Sequence, residues 1–105
     1  MEIPFRPLGK AMNIVASTGL DVTYVYDDLV FADNSVFILQ FDNKDPDRML
    51  LHFNADCDEV AREKLTNILI EASNKENVAI TYTGTFRLKE NQKSEKIEIE
   101  FDFIN

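Results

Sequence analysis

Few side chains in this sequence are equipped to do chemistry. It has one histidine, His52, and one cysteine, Cys57. A catalytic histidine needs an orienting group on one ring nitrogen and a nucleophile or substrate proton at the other. No residue close to His52 in sequence marks either role. In the alternating stretch 48–54, Met49, Leu51 and Phe53 share one face and His52 shares the other with Leu50. His52 is therefore expected on the surface of a strand. Cys57 stands where a helix begins, and exposed backbone amides there lower a thiol's pKa. Asp56, Asp58 and Glu59 oppose that effect by repelling negative charge, and Cys57 also continues an apolar stripe with Ala61 and Leu65. Packing is the expected role, since a free cysteine behaves as a small hydrophobe.

No metal or cofactor is expected. One cysteine and one histidine cannot complete the usual four-ligand zinc site. The loop Asp42-Asn43-Lys44-Asp45-Pro46-Asp47 is the richest in oxygen ligands, but it lacks the turn glycine and closing glutamate of an EF-hand. Lys44 and Arg48 already offset its charge. The three glycines, at positions 9, 19 and 84, are too scattered to cradle a phosphate. There is no serine nucleophile elbow. Four cations around the segment 87–96 are interleaved with Glu90 and Glu95, which describes a solvated hairpin tip.

Charge narrows the partner classes. The chain has 105 residues, with 11 Lys and Arg against 19 Asp and Glu, for a net charge of -8. Such a balance disfavours a grip on phosphate backbones, so no nucleic acid is expected. Residues 21–60 hold ten acids, nine of them aspartate, against Lys44 and Arg48, and so carry the whole imbalance. Aspartate favours turns and helix starts, which accounts for most of this. An acidic rim that selects a basic partner is the functional alternative.

These side chains must be held by one domain spanning residues 1–105. The start, Met1-Glu2-Ile3-Pro4-Phe5-Arg6-Pro7, has neither the basic opening nor the apolar run of a signal peptide. No apolar run approaches the roughly 20 residues of a membrane span. A single unpaired cysteine suits a reducing compartment. The expected location is cytoplasmic, with no membrane partner.

Pro7 starts a first helix over 8–18, which Gly19 stops. Strands follow at 22–26, 29–31, 36–41 and 48–54, separated by Asp27-Asp28, Asp33-Asn34-Ser35 and the aspartate loop. A second helix covers 57–74, capped by Asp56 with Glu59 three positions later. Two alternating strands close the chain. Val78, Ile80, Tyr82, Gly84, Phe86 and Leu88 share one face of the first, and Ile97, Ile99, Phe101 and Phe103 one face of the second. Gly84 inside this alternation signals a bulge or a close backbone approach. The expected fold is α+β: a two-layer domain with one antiparallel sheet of five to six strands and two helices on one face, in the order α-β-β-(β)-β-α-β-β. That order is similar to the order of elements in type III secretion chaperones. The similarity implies a small acidic dimer that holds an extended client segment, although this chain stops where that family has a third helix.

One feature exceeds a plain structural reading. If Phe37, Leu39 and Phe41 face the helices, Val36 and Ile38 face away, with Leu50, Val25 and the threonines 81, 83 and 85 beside them. Apolar residues on an outer sheet face suggest a partner surface. The expected function is a non-enzymatic protein-interaction module, adaptor or chaperone-like, binding a protein partner or a second copy. Val36, Ile38 and Leu50 form the apolar centre and Asp42, Asp45 and Asp47 the acidic rim, with Ile38→Asp as the probe of that surface. The alternative is a small-molecule site or an enzyme whose polar groups, Tyr24, Tyr26, Tyr82 and His52, converge only in space.

Overall fold

A computed structural model describes residues 6–33, 35–91 and 96–103. Residues 1–5, 34, 92–95 and 104–105 lie outside the described residues, and with them part of the expected polar tip between the last two strands. The elements are α1 (Leu8–Ala16), β1 (Val22–Tyr26), β2 (Leu29–Ala32), β3 (Phe37–Phe41), β4 (Arg48–Asn54), α2 (Glu59–Lys75), β5 (Ala79–Asn91) and β6 (Lys96–Phe103). The fold is α+β, with both helices packed against a six-stranded sheet in the order β1-β2-β3-β4-β5-β6.

Local chemistry sets the element ends. Pro7 is the N-cap of α1, and Gly19, at φ 83, takes the left-handed turn after it. α2 starts two residues later than the sequence pattern predicts. Asp58 rather than Asp56 is its cap, accepting from the Ala61 amide at 3.3 Å. Asp56 lies outside because Asn54 Oδ1 takes its amide at 2.9 Å and forms a tight turn that ends β4.

Four of the five strand pairs are antiparallel. The exception is β4 with β5, which run parallel because α2 crosses between them. The main core lies under the helices. Val30, Ala32, Phe37, Leu39, Phe41, Met49, Leu51 and Phe53 from the sheet, and Val78 just before β5, meet Ala11, Ile14, Val15 and Leu69 from the helices. Cys57 and Leu65 of the expected stripe pack at its margin together with Ala72, whereas Ile68 on the same helix is exposed.

The unbroken alternation of residues 78–88 conceals a change of face. Leu51 pairs with Tyr82 but His52 pairs with Gly84, so Thr83 is an extra residue in β5. A one-residue insertion moves every later side chain to the opposite face. Ile80 and Tyr82 stay on the helix side, Tyr82 edge-on to Phe53 at 5.7 Å. Phe86 passes to the outer side, opposite Phe101 of β6. Thr85, opposite Phe53, moves the other way. The outer face consequently has a core of its own. Leu29, Phe31, Ile38 and Phe86 are buried there, with Ile99 and Phe101 packed against them. They come from β2, β3, β5 and β6 although β4 lies between, so the sheet coils around this face.

Glycine is required at the bulge. Gly84 has φ 146, and a Cβ there would stand 2.1 Å from the Asp102 carbonyl oxygen. Gly84→Ala is expected to destabilise the fold by about 3 kcal/mol or more, through backbone strain and displacement of β6. Gly9→Ala, with no atom within 4 Å of the added methyl, is expected to stabilise it by about 0.5–1 kcal/mol. Urea unfolding of the two variants checks both signs.

Candidate functional site

The outer face brings together the residues that chemistry would need, with His52 buried and Asp28, Gln40 and Thr83 half-buried around it. His52 is 1% exposed, not on the surface. Its position opposite Gly84 explains why. Gly84 offers no side chain to fill the space on the outer face, and the rings of β6 lean across it. Phe101 lies 4.6 Å from the imidazole centroid and Phe103 lies 6.1 Å away. An aromatic side chain covering a cross-strand glycine is a known way of closing a sheet.

Both imidazole nitrogens are bonded. His52 Nε2 lies 2.9 Å from Gln40 Oε1, and Gln40 Nε2 donates to Asp28 Oδ2 at 2.9 Å. Because the Gln40 amide nitrogen serves Asp28, its oxygen faces the ring, and His52 Nε2 must be the donor. Nδ1 is then the acceptor for the Thr83 hydroxyl, at 2.6 Å. The Leu51 carbonyl, 3.1 Å from Thr83 Oγ1, is a second acceptor within reach. The chain Thr83–His52–Gln40–Asp28 thus has a hydroxyl at one end and a carboxylate at the other, the groups that sequence proximity could not supply.

Electrostatics favour a neutral ring. Burial pulls the His52 pKa down to about 4, against a smaller upward pull from Asp28. Protonation would not break the chain, because Thr83 could turn to accept from Nδ1 and donate to Leu51. The cost is the burial of charge itself. The imidazole is also shut beneath two phenylalanine rings. As it stands, the arrangement is a hydrogen-bonded brace between β3, β4 and β5.

The other candidates separate. Tyr24 and Tyr26 stack at 6.4 Å on β1, while Tyr82 faces the helices and His52 is covered, so the four polar groups of the small-molecule reading do not converge. Burial pushes the Cys57 thiol up from its ordinary value; Arg62 draws it partly back and Asp58 adds to the rise. That environment does not activate a nucleophile. A shallow cleft of about 290 Å³ opens between α1 and α2, lined by Asn13, Ser17, Ile68, Glu71, Lys75 and Glu76 among others. Asn13 Nδ2 donates to Glu76 Oε1 across it at 2.8 Å. Among the described residues, no group of three or more His, Cys, Asp or Glu side chains is placed to hold a metal.

The residues expected to form a partner surface fall in different environments. Ile38 is on the outer face but fully buried in the second core. Ile38→Asp would therefore place a carboxylate among phenylalanines and report on folding instead of binding. Val36 is half-buried and packs on the helix-side core, not the outer face. Leu50, opposite Gln40 and Thr81, is half-buried on the outer face. Val25 pairs with Val30 of the helix-side core and shares that side. Asp42 is half-buried, its side chain 3.8 Å from Arg48 and accepting from the Lys44 amide at 2.9 Å. Asp45 accepts from the Asp47 amide at 2.9 Å, so turn formation engages the carboxylates of Asp42 and Asp45, while Asp45 and Asp47 remain exposed.

Single exposed apolar side chains such as Met12, Val60 and Phe103 are scattered over the surface, but β1 carries three in succession, Tyr24, Val25 and Tyr26. Tyr24 is 58% exposed and Tyr26 61% exposed, and Tyr24 leans on buried Phe31 at 5.7 Å. They extend the outer-face core to the sheet edge. The β-branched and aromatic run Val22–Tyr26 signals a strand in the sequence, but nothing local marks it as terminal. No family model matches the chain, and no curated protein or solved structure is significantly similar to it. Among the described residues, no helix is long and apolar enough to cross a membrane.

The buried ring makes stability pH-dependent. His52 binds protons more readily in the unfolded chain, where its pKa is about 6.5, than in the fold, where it is about 4. Stability is therefore greatest above the unfolded value and falls as pH drops through that window. Between pH 7 and 5 the loss is expected to be about 2 kcal/mol. Urea midpoints should follow this slope in the wild type and flatten in His52→Gln.

Proposed function

We propose that the chain is a non-enzymatic protein-interaction module of the cytoplasm, adaptor or chaperone-like, which meets its partner on the open part of its outer sheet face. The observation that carries this reading is the stacked pair Tyr24 and Tyr26, more than half exposed beside a buried apolar cluster. Tyrosine supplies large contact area at low entropic cost and is enriched where binding energy concentrates. Leu50 adds a half-buried apolar contact, and exposed Asp45 and Asp47 form part of an acidic rim. Partner binding then combines apolar burial at the tyrosines with electrostatic steering by the acidic middle of the chain. The free, half-buried Cys57 suits a reducing compartment. Ile38, beneath the surface, supports it through packing.

Affinity capture from lysate tests this reading, with the double variant Tyr24→Ser, Tyr26→Ser beside the wild type. Both substituted residues are exposed, so the variant is expected to melt within a few degrees of the wild type. A stoichiometric partner held by the wild type and lost by the variant is the expected result. Equal capture by both proteins, or capture of nothing by either, contradicts it.

A further inference from the structure

Resting on that reading, we infer that β1 receives its partner by β-strand addition, and that the incoming segment is extended, alternately apolar and flanked by lysine or arginine. Among the described residues β1 is the terminal strand of the sheet and is paired only with β2. The two-residue loop Asp27-Asp28 makes Tyr26 and Leu29 the closing hydrogen-bonded pair. At the next pair, Val25 with Val30, the N–H and C=O of Val25 therefore point away from β2. Edge strands are commonly guarded by lysine, proline or a covering element. Val22–Tyr26 contains neither residue, and its bulge, between Val22 and Tyr24, leaves 24–26 in regular pairing. Both faces of an added strand would find apolar neighbours, Tyr24 and Tyr26 on one side and Val25, 42% exposed, on the other.

Charge selects the occupant. The hairpin 21–33 carries Asp21, Asp27, Asp28 and Asp33 and no lysine or arginine. Arg6 meets Asp27 at 3.2 Å and compensates one of these four charges, which leaves the hairpin net negative. A second copy is disfavoured by the same residues. Full antiparallel overlap of two β1 strands sets Tyr24 of one copy opposite Tyr24 of the other. Asp21 of each copy then faces Asp27 of the other, at both ends of the ladder. A basic-flanked segment of a different chain turns those two repulsions into attractions.

The test selects phage-displayed random peptides of about 12 residues on the intact protein. The affinity of the most enriched peptide is then measured on wild type, Val25→Pro and Asp21→Lys. Proline at an outward-facing edge position removes the donor without breaking a ladder bond, and Asp21→Lys leaves the backbone unchanged. Enriched peptides should alternate apolar and polar residues between basic ends. Binding should fall about tenfold or more in Val25→Pro, and about fivefold in Asp21→Lys or on raising salt from about 50 to about 300 mM. Failure to enrich such sequences, or unchanged affinity in both variants, overturns strand addition. So does a β1-dependent homodimer in sedimentation equilibrium. If the lysate partner is lost on replacing both tyrosines yet retained by Val25→Pro, the interaction-module reading stands and strand addition alone fails.

Discussion

The arrangement of the outer face depends on the two residues Thr83 and Gly84. As an extra residue in a parallel pair, Thr83 reverses the phase of β5 in mid-strand. Its hydroxyl is thereby brought to His52 Nδ1 and the Leu51 carbonyl. Gly84 lets β6 approach where a Cβ would collide with the Asp102 carbonyl, and it leaves space that Phe101 and Phe103 lean across. With the phase reversed, Phe86, Phe101 and Phe103 lie on the outer face, and the first part of β5, with Ile80 and Tyr82, still serves the helix-side core. One chain of modest length builds two cores on opposite sides of a single sheet.

This division explains the distribution of polarity. His52 can be buried because its two nitrogens have fixed partners and its ring has aromatic neighbours. Gln40, half-buried on the same face, transmits its bonding to Asp28 at the turn. The brace joins the β1–β2 turn to the centre of the sheet and thereby helps set the position of the β1–β2 hairpin. At the β6 side half-buried Ile99 and Phe101 close over the outer core, and Phe103 beyond them is exposed. At the β1 side Tyr24 and Tyr26 are exposed.

Much of the fold was legible in the sequence, because it rests on local chemistry. Pro7 and Gly19 bound the first helix, the aspartate-rich turns separate the strands, and Phe37, Leu39, Phe41, Met49, Leu51 and Phe53 face the helices as their alternation requires. The number of strands and their class followed from the same signals. The parallel pairing of β4 with β5 was not legible, since strand neighbours across a helical crossover are fixed by global packing. The phase reversal was also concealed, because residues 78–88 alternate without a visible break. Gly84 was the one signal there, and a bulge at that residue is enough to move Phe86 to the other face. His52 is buried because of Gly84 and Phe101, residues far from it in sequence. Ile38 was assigned to the correct face, but its burial depended on the same distant hairpin. The open tyrosines could not be distinguished from core aromatics until β1 was known to be terminal.

The most direct measurement of this account is the titration of the His52 ring by NMR, where the single histidine makes the imidazole resonance unambiguous. If β6 seals the outer face, the ring stays neutral down through the ordinary histidine range and inflects at about 4. Its protons should also show contacts to the rings of Phe101 and Phe103. An inflection at about 6.5, the value of a solvated imidazole, without those contacts, would mean that the outer face is open and that β5 has not changed phase.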